Sequence, residues 1–155
     1  MTAKTHLAIA LAAAVAAAPG LAMAENGSGT ATYVTVRAEV SEIGGGATVR
    51  RGHSKGVVLA DDPASDFHLA TQDCTGATVI GADGAVMSDS GSCHAVDRDG
   101  DTWSLWYSNG AAERTWQVIG GTGKYAHMTG GGTTEILLLT PDGRMTIGWK
   151  GSWER

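Results

Sequence analysis

The sequence predicts an all-β domain, because three of its features suit short antiparallel strands joined by tight turns. Segments of alternating apolar and polar residues are separated by Gly- and Asp-containing pairs at hairpin spacing. Glycine accounts for 23 of the 155 residues. No segment after residue 24 carries a helical period. About eight or nine strands follow from this pattern, which favours a small antiparallel β-barrel, with an immunoglobulin-like sandwich as the alternative.

The first 24 residues are typical of a secretory signal peptide. Lys4 precedes the apolar run 7–15, and Ala22-Met23-Ala24 offers a small-residue cleavage site. The run is shorter than the roughly 20 apolar residues that cross a bilayer. We therefore expect cleavage after Ala24, a secreted or periplasmic protein with no membrane span, and a single mature domain over residues 25–155.

The charge of the chain bears on its partners. The formal net charge is -5 at neutral pH. An acidic balance disfavours nucleic acids and anionic membrane surfaces, which are themselves negatively charged. The mature chain of about 130 residues is long enough to bury one hydrophobic core and too short for two domains.

Cys74 and Cys93 are the only cysteines of the chain. In an oxidising compartment, two cysteines separated by a hairpin-length segment form one disulfide, and this bond would join neighbouring strands. A reactive thiol is the alternative, but the chain lacks the close Cys-x-x-Cys spacing of redox sites. The pair is therefore predicted to be structural.

The first predicted strand covers residues 32–40. Its alternation sets valines, among them Val34 and Val36, against Arg37 and Glu39, which predicts valines inside and charges in solvent. Glycines 44–46 then end the strand. A second short apolar strand is expected over residues 56–60, and the pattern continues through residues 67–71.

Turn signals divide the rest of the chain into hairpins. They lie at residues 81–84, 88–91, 99–100, 108–110 and 141–143. The last strand alternates Met145, Ile147, Trp149 and Trp153 with polar residues, so it should be half-buried. Residues 136–139 are apolar at consecutive positions, so both faces need cover, from the barrel interior and from either a second subunit or a terminal loop.

One motif points to a known superfamily. The segment WQVIGGTGKYA, residues 116–126, joins an apolar strand to a Gly-rich turn, and GGGTTE, residues 130–135, opens the next strand. This arrangement resembles the signature turn of the allene oxide cyclase and dirigent barrels. The resemblance implies a calycin-like antiparallel barrel of about eight strands with a ligand-sized interior. It also implies an oligomer, a dimer or a trimer formed through outer strands.

The resemblance further implies a function. Barrels of this superfamily hold a reactive intermediate so that it cyclises or couples in one way, which is catalysis by orientation and needs no cofactor or metal. We therefore expect a small apolar ligand and, if the protein is an enzyme, a cyclase-like or isomerase-like activity. Two alternatives stay open: a non-catalytic ligand carrier, and a filled barrel that acts through its outer surface.

Candidate site residues follow from the same reasoning. The predicted catalytic groups are Glu39 and Glu135, either of which would have to point inward to meet a developing cation. Aromatic side chains are common in pockets for small apolar ligands. The predicted ligand pocket comprises Tyr33, Phe67, Trp103, Trp116, Trp149 and Trp153. Trp106 lies on the opposite face of the strand that carries Trp103, so it is not expected in the same pocket.

Other polar motifs give weaker signals. His68 follows Asp66 closely, and a neighbouring strand would have to bring His53 to it to form a metal or acid-base site. Residues 97–101 place carboxylates as a calcium loop does, but Thr102 stands where that loop needs glycine. The spacing of residues 120–124 does not fit a phosphate loop. No Gly-x-Ser-x-Gly hydrolase elbow is present. The sequence therefore predicts no metal site.

Overall fold

The computed structural model describes residues 24–110 and 113–155, which form eight strands and one short 3-10 helix. The predicted leader, apart from Ala24, lies outside the described residues. The described residues contain no helix that is long and apolar enough to cross a membrane. The strands are β1 (Glu25–Gly44), β2 (Ala47–Ala60), β3 (Thr71–Ile80), β4 (Val86–Val96), β5 (Thr102–Asn109), β6 (Arg114–Gly121), β7 (Thr129–Leu139) and β8 (Arg144–Glu154), with the 3-10 helix at Gly123–Tyr125.

The strands form one closed antiparallel barrel in the order in which they occur along the chain. Closure comes from β8, which pairs with β1 from Glu25 opposite Trp153 to Val34 opposite Arg144. Closing the sheet removes its free edges, which an open sheet would expose to other chains. The predicted barrel is therefore confirmed, and the alternative of a sandwich is wrong.

The barrel has two unlike ends. The connections β1–β2, β3–β4, β5–β6 and β7–β8 lie at one end, which we call the open end. The longer segments 61–70, 97–101 and 122–128 lie at the other, together with Glu25 and Arg155, and we call it the closed end. A cavity leads from the open end towards the closed end.

A β-bulge in β1 changes which side chains face the interior. The register with β2 shifts between Thr35 and Arg37, which leaves Val36 without a partner. Before the bulge Tyr33 points inward, and Val34 and Val36 are 45% and 50% exposed on the outer face. The prediction of an inward row of valines is therefore wrong, because Tyr33 and Thr35 take the inward positions before the bulge and the extra residue interrupts the alternation at Val36.

Two further boundaries differ from the sequence prediction. Residues 88–91 were expected to form a turn, but they lie within β4 and pair with β3 and β5. Residues 67 and 69 were expected to continue a strand, but they lie in the loop before β3. In contrast, the alternation of β8 is confirmed, because Met145, Ile147 and Trp149 all face the interior.

The predicted disulfide between Cys74 and Cys93 is confirmed. The two cysteines are direct register partners on β3 and β4, and both are buried on the inner face of the wall. Such a bond stabilises mainly by limiting the freedom of the unfolded chain.

The consecutive apolar residues of β7 are divided between the two faces of the sheet. Ile136 and Leu139 face the open end of the cavity, and a register shift lies between Ile136 and Leu138. Leu137 and Leu138 are 54% and 53% exposed. No described loop covers their outer side.

Candidate functional site

The barrel encloses a cavity of about 430 Å³ that opens between the hairpins of the open end. Its wall is made of inward side chains from all eight strands. A volume of this size lies in the range of small-molecule sites in proteins. The interior is therefore not filled with side chains, which removes the premise of the filled-barrel alternative.

Aromatic rings form the bottom of this cavity, and we call them the floor. Phe67 comes from the loop between β2 and β3, and its ring lies 4.7 Å from Trp103 and 4.4 Å from Trp153, between centroids. Trp149 meets it edge-on at 6.2 Å, and Tyr125 lies 6.0 Å away. Edge-on and tilted contacts of this kind suit the charge distribution of aromatic rings. The loop thus closes the barrel with apolar surface.

A group of charges, which we call the seal, lies below the floor. The Lys124 ammonium is 3.3 Å from Asp66, 2.9 Å from Asp97 and 2.7 Å from Asp99. The Tyr125 hydroxyl donates to Asp97 Oδ2 at 3.0 Å. The Gly-rich turn at residues 120–126 is therefore structural. Its Lys124 and Tyr125 side chains connect the β6–β7 segment to the two other loops of the closed end.

The seal holds its carboxylates in the charged form. Burial alone would raise the pKa of Asp97, but the Lys124 ammonium, the Tyr125 hydroxyl and the Asp99 N–H together lower it. Hydrogen bonding to Arg155 lowers the pKa of Asp66, against a smaller opposing effect of burial, and Lys124 lowers it further. Arg155 also binds Glu25 at 2.7 Å, which joins the last residue to the start of β1.

Glycines on the inner face make room for rings that lie against the wall. A Cβ atom at Gly56 would collide with the ring of Tyr33, and one at Gly76 would collide with the hydroxyl of Tyr107. A Cβ at Gly151 would likewise overlap the ring of Trp116. Because glycine lets these rings approach the backbone closely, they line the cavity instead of filling it.

The deep half of the cavity has one notable polar pair. The Tyr33 hydroxyl donates to Gln72 Oε1 at 2.5 Å, and both residues are buried. Burial, with a smaller contribution from Tyr107, raises the pKa of Tyr33 above its usual value. The phenol therefore stays protonated near neutral pH, and its O–H is used in the bond to Gln72, so the pair adds no charge to the apolar wall.

A row of polar residues crosses the inner face near the open end, and we call it the mouth belt. Register pairs join Arg50 to Thr78, Thr78 to Asp89, Asp89 to Asn109, and Asn109 to Arg114. All five side chains line the cavity. Neighbouring residues in register share one face of a sheet, so five strands build a continuous polar arc with an arginine at each end.

Hydrogen bonds fix the centre of the mouth belt. Thr78 Oγ1 donates to Asp89 Oδ1 at 3.0 Å, and Asn109 Nδ2 donates to Asp89 Oδ2 at 2.7 Å. Burial and the charge of Asp89 raise the pKa of nearby Tyr107 to about 12. Asp89 is thus a positioned inward carboxylate beside a neutral phenol.

The predicted pocket aromatics fall into two groups. Tyr33, Phe67, Trp103, Trp116 and Trp149 line the cavity. Trp153 does not line it but supports the floor from below through its contact with Phe67. Trp106, on the opposite face of β5 from Trp103, is 48% exposed outside the barrel.

The two carboxylates predicted to act inside the cavity lie outside it. Glu39 pairs in register with Arg51 on the outer face of the β1–β2 hairpin, and its carboxylate binds the Arg37 guanidinium. Glu135 is exposed, and its side chain lies over Gly148 on the outer face of β7 and β8. The expectation that one of them points inward is therefore wrong, and Asp89 is the carboxylate found in the cavity wall.

The histidine cluster considered from the sequence does not assemble. His68 bonds the Ala60 carbonyl oxygen through Nδ1 at 3.0 Å, whereas His53 bonds Asp73 on the outer wall at 3.1 Å. Among the residues that the structure describes, no group of three or more His, Cys, Asp or Glu side chains is placed to hold a metal ion. In the segment 97–101, Asp97 Oδ1 instead accepts the backbone N–H groups of Asp99 and Asp101, as in a tight turn.

Sequence reasoning missed the mouth belt. The Ser, Asp and Gly residues at positions 88–91 favour a turn, so the sequence predicts Asp89 in a turn. Counting back from Cys93 in steps of two passes Gly91 and reaches Asp89, so strand alternation carried a signal for its inward position. No such local signal links Arg50 to Arg114, because their alignment depends on the registers of four strand pairs.

Two solved structures share this architecture. The pterocarpan synthase dirigent protein GePTS1 superposes with a TM-score of 0.55, covering 91% of this chain and 96% of that chain at 14% sequence identity. For the pterocarpan synthase dirigent protein PsPTS1 the TM-score is 0.55, with 86% and 96% covered at 14% identity. The sequence matches no family model, and no curated protein matches it. The likeness establishes a dirigent-like barrel fold.

Proposed function

We propose that this dirigent-like barrel binds a small, largely apolar molecule in its cavity and orients a reactive intermediate for cyclisation or coupling. The observation that carries the proposal is the cavity of about 430 Å³, closed at one end by the aromatic floor and open at the other. Its deep wall offers ring faces and few polar groups, which suits an apolar ligand body.

Orientation is the chemistry that this arrangement supports. The rings that lie against the wall restrict how a flat molecule can sit, and fixing one conformer lowers the entropic part of a reaction barrier. Tyr33 and Gln72 supply a neutral hydrogen-bonding point inside the apolar region. The solved structures with the same fold belong to proteins named pterocarpan synthases, which agrees with ring formation on such a scaffold.

A non-catalytic carrier is the second candidate function. The observation that favours it is the neutral deep half of the cavity, where the floor and the Tyr33–Gln72 pair carry no charge at neutral pH. A carrier needs only a complementary cavity, whereas most polar chemistry needs a charged or titrating group beside the reacting atoms. Turnover of the bound compound separates the two functions.

The decisive experiment identifies the ligand. Protein purified after expression of the full chain is measured by native mass spectrometry, and we expect an additional mass that is released by gentle desolvation. Ser54→Phe, which adds a ring to the inner wall, should abolish this mass. Lys55→Phe places the same ring on the outer face next to it and should leave the mass unchanged.

Two results would decide between the proposals. If the compound reacts to one stereoisomer with the protein and to a mixture without it, the protein orients the intermediate; if it is released unchanged, the protein is a carrier. Failure to retain any apolar compound, with wild type and Ser54→Phe behaving alike, would reject both.

We further propose that the protein is exported and oligomeric. The disulfide between Cys74 and Cys93 supports an oxidising compartment, and an intact mass that begins at Glu25 would establish cleavage after Ala24. The exposed Leu137 and Leu138 offer an apolar outer face for a dimer or trimer. A Leu137→Ser/Leu138→Ser variant that stays in the wild-type oligomer would contradict this use of the face.

A further inference from the structure

We infer that the ligand is a planar aromatic compound that carries one negatively charged group, held between Arg50 and Arg114 at the mouth of the cavity. This inference rests on the proposed function, because it names the class of compound that the same cavity binds. It concerns the mouth belt, because an apolar ligand in the deep half of the cavity does not account for two arginines at the entrance.

The first step concerns the arginines themselves. Within the described residues, four arginines have no carboxylate within 4.0 Å: Arg50, Arg51, Arg98 and Arg114. Of these four, Arg50 and Arg114 are the two that line the cavity. Both residues are partly buried. A partly buried guanidinium has lost some of its water, so an anion gains more by binding there than at a fully exposed arginine.

Asp89 forms no ion pair with either arginine. Its two oxygens accept hydrogen bonds from the neutral side chains of Thr78 and Asn109. The mouth belt therefore carries two positive charges and one negative charge, although the whole chain has a net charge of -5. A net positive arc at the mouth attracts anions to the cavity.

The position of Arg50 brings its charge to the entrance. A Cβ atom built at Gly143, in the turn between β7 and β8, would lie 3.8 Å from Arg50 Nη2. The guanidinium thus lies beside the β7–β8 turn, which is one strand away around the barrel, and Gly143 leaves space next to it. The planar guanidinium suits two parallel hydrogen bonds to a carboxylate, sulfonate or phosphate group.

The deep wall sets the shape of the rest of the ligand. Tyr33, Tyr107 and Trp116 lie close against glycines of the wall, and all three rings line the cavity. Flat walls stack well on planar aromatic molecules, which adds to the gain from apolar burial. A ligand with an aromatic body inside and an anionic group at the mouth satisfies both regions at once.

Two fluorescent probes test this inference directly. Anilinonaphthalene sulfonate and phenylnaphthylamine have the same aromatic skeleton and differ only in the sulfonate group. We expect both probes to bind wild-type protein purified after expression of the full chain and to displace one another. The sulfonate probe should bind more tightly. Added salt should weaken the binding of the sulfonate probe only.

The variants locate the anion site. The Arg50→Gln/Arg114→Gln variant should bind the sulfonate probe about tenfold or more weakly than wild type. Its affinity for the neutral probe should change less than about twofold. Arg50→Lys/Arg114→Lys keeps the charges and should restore part of the loss. Arg51→Gln removes an exposed outer-face arginine next to Arg50 and should change neither affinity.

The outcomes separate this inference from the proposed function. If the Gln variant loses affinity for both probes equally, or keeps its affinity for the sulfonate, the anion site is overturned. The apolar ligand cavity would then still stand. Failure of wild type to bind either probe would overturn the proposed function and this inference with it. Circular dichroism of each variant checks that the barrel is folded.

Discussion

At the closed end of the barrel Lys124 lies among three carboxylates, whereas at the open end Arg50 and Arg114 have none within ion-pair distance in the described chain. Charges at the closed end are therefore satisfied inside the protein, and they tie loops together. The two arginines of the mouth belt have no such partner among the described residues, although Arg144 and Asp142 pair in a turn of the same end. The closed end thus stabilises the fold, and the unpaired arginines support the proposal that the open end receives a ligand.

The aromatic residues show the same division. At the floor, Phe67 packs against Trp103 and Trp153 with centroids 4.7 and 4.4 Å apart. Towards the open end, Tyr107 lies against Gly76 and leaves the cavity unfilled. Packing contributes most where rings touch rings, so substitutions at the two ends should differ strongly in their effect on stability.

Removal of the floor should produce the largest loss of stability. Phe67→Ala deletes a buried ring that contacts four other aromatic residues, and we expect the free energy of unfolding to fall by about 3–5 kcal/mol. Urea denaturation measures this change. Trp106→Ala removes an exposed ring from the outer face and should cost less than about 1 kcal/mol. Equal losses would refute the special role of the floor.

Removal of the disulfide should cause the second largest loss of stability. Cys74→Ala/Cys93→Ala opens a crosslink between residues 19 apart, and loop-closure entropy predicts a loss of about 3 kcal/mol. Denaturation with and without a reductant offers a second measurement, since reductant should destabilise wild type and leave the variant unaffected.

Loss of Lys124 should weaken the seal in a pH-dependent way. Lys124→Met leaves the fully buried Asp97 side chain without its cation, and we expect a loss of about 2 kcal/mol at pH 7, less than for a fully buried ion pair because Lys124 is partly exposed. The folded-state pKa values of Asp66 and Asp97 lie below the unfolded value of about 3.9. Their charged forms therefore stabilise the protein above that pH, and this contribution is lost as the pH falls through the folded values.

The measurement compares unfolding at two pH values. The stability difference between wild type and Lys124→Met should be largest near pH 7 and should shrink as the carboxylates become protonated below about pH 4. Lys150→Met, which removes an exposed lysine of β8, should give a small difference at both values. A difference for Lys124→Met that does not depend on pH would mean that packing, and not charge, explains the loss.

The features that could be predicted from the sequence are those that carry a local or unique signal, and the ion pairs of the seal are not among them. The turn at residues 120–126 carries local chemistry that marks the barrel, and the alternation in β8 places Trp149 and Trp153 on the inner side. The disulfide followed from two cysteines alone. Each of these predictions needs only residues that are near in sequence or unique in the chain.

The open end depends on information that is not local. One unpaired residue, Val36, reverses the alternation of β1, so neither the valines nor Tyr33 could be assigned a face from the pattern alone. The alignment of Arg50 with Arg114 requires the registers of β2 to β6. Five of the six aromatic residues named from the sequence line the cavity, Trp153 lies below it, and the charged groups of the mouth belt were missed.

Substitution of the mouth arginines should have the smallest effect on stability and thus sharpens the comparison. Arg50→Gln/Arg114→Gln breaks no ion pair within the described residues and removes two positive charges that face one cavity. We therefore expect the free energy of unfolding to change by less than about 0.5 kcal/mol, since surface substitutions away from packed or paired groups usually do. Urea denaturation at pH 7 measures it beside Lys124→Met. If the arginine variant loses as much stability as the Lys124 variant, the open end is a structural region like the closed end, because residues kept for a ligand can be replaced without cost to the fold.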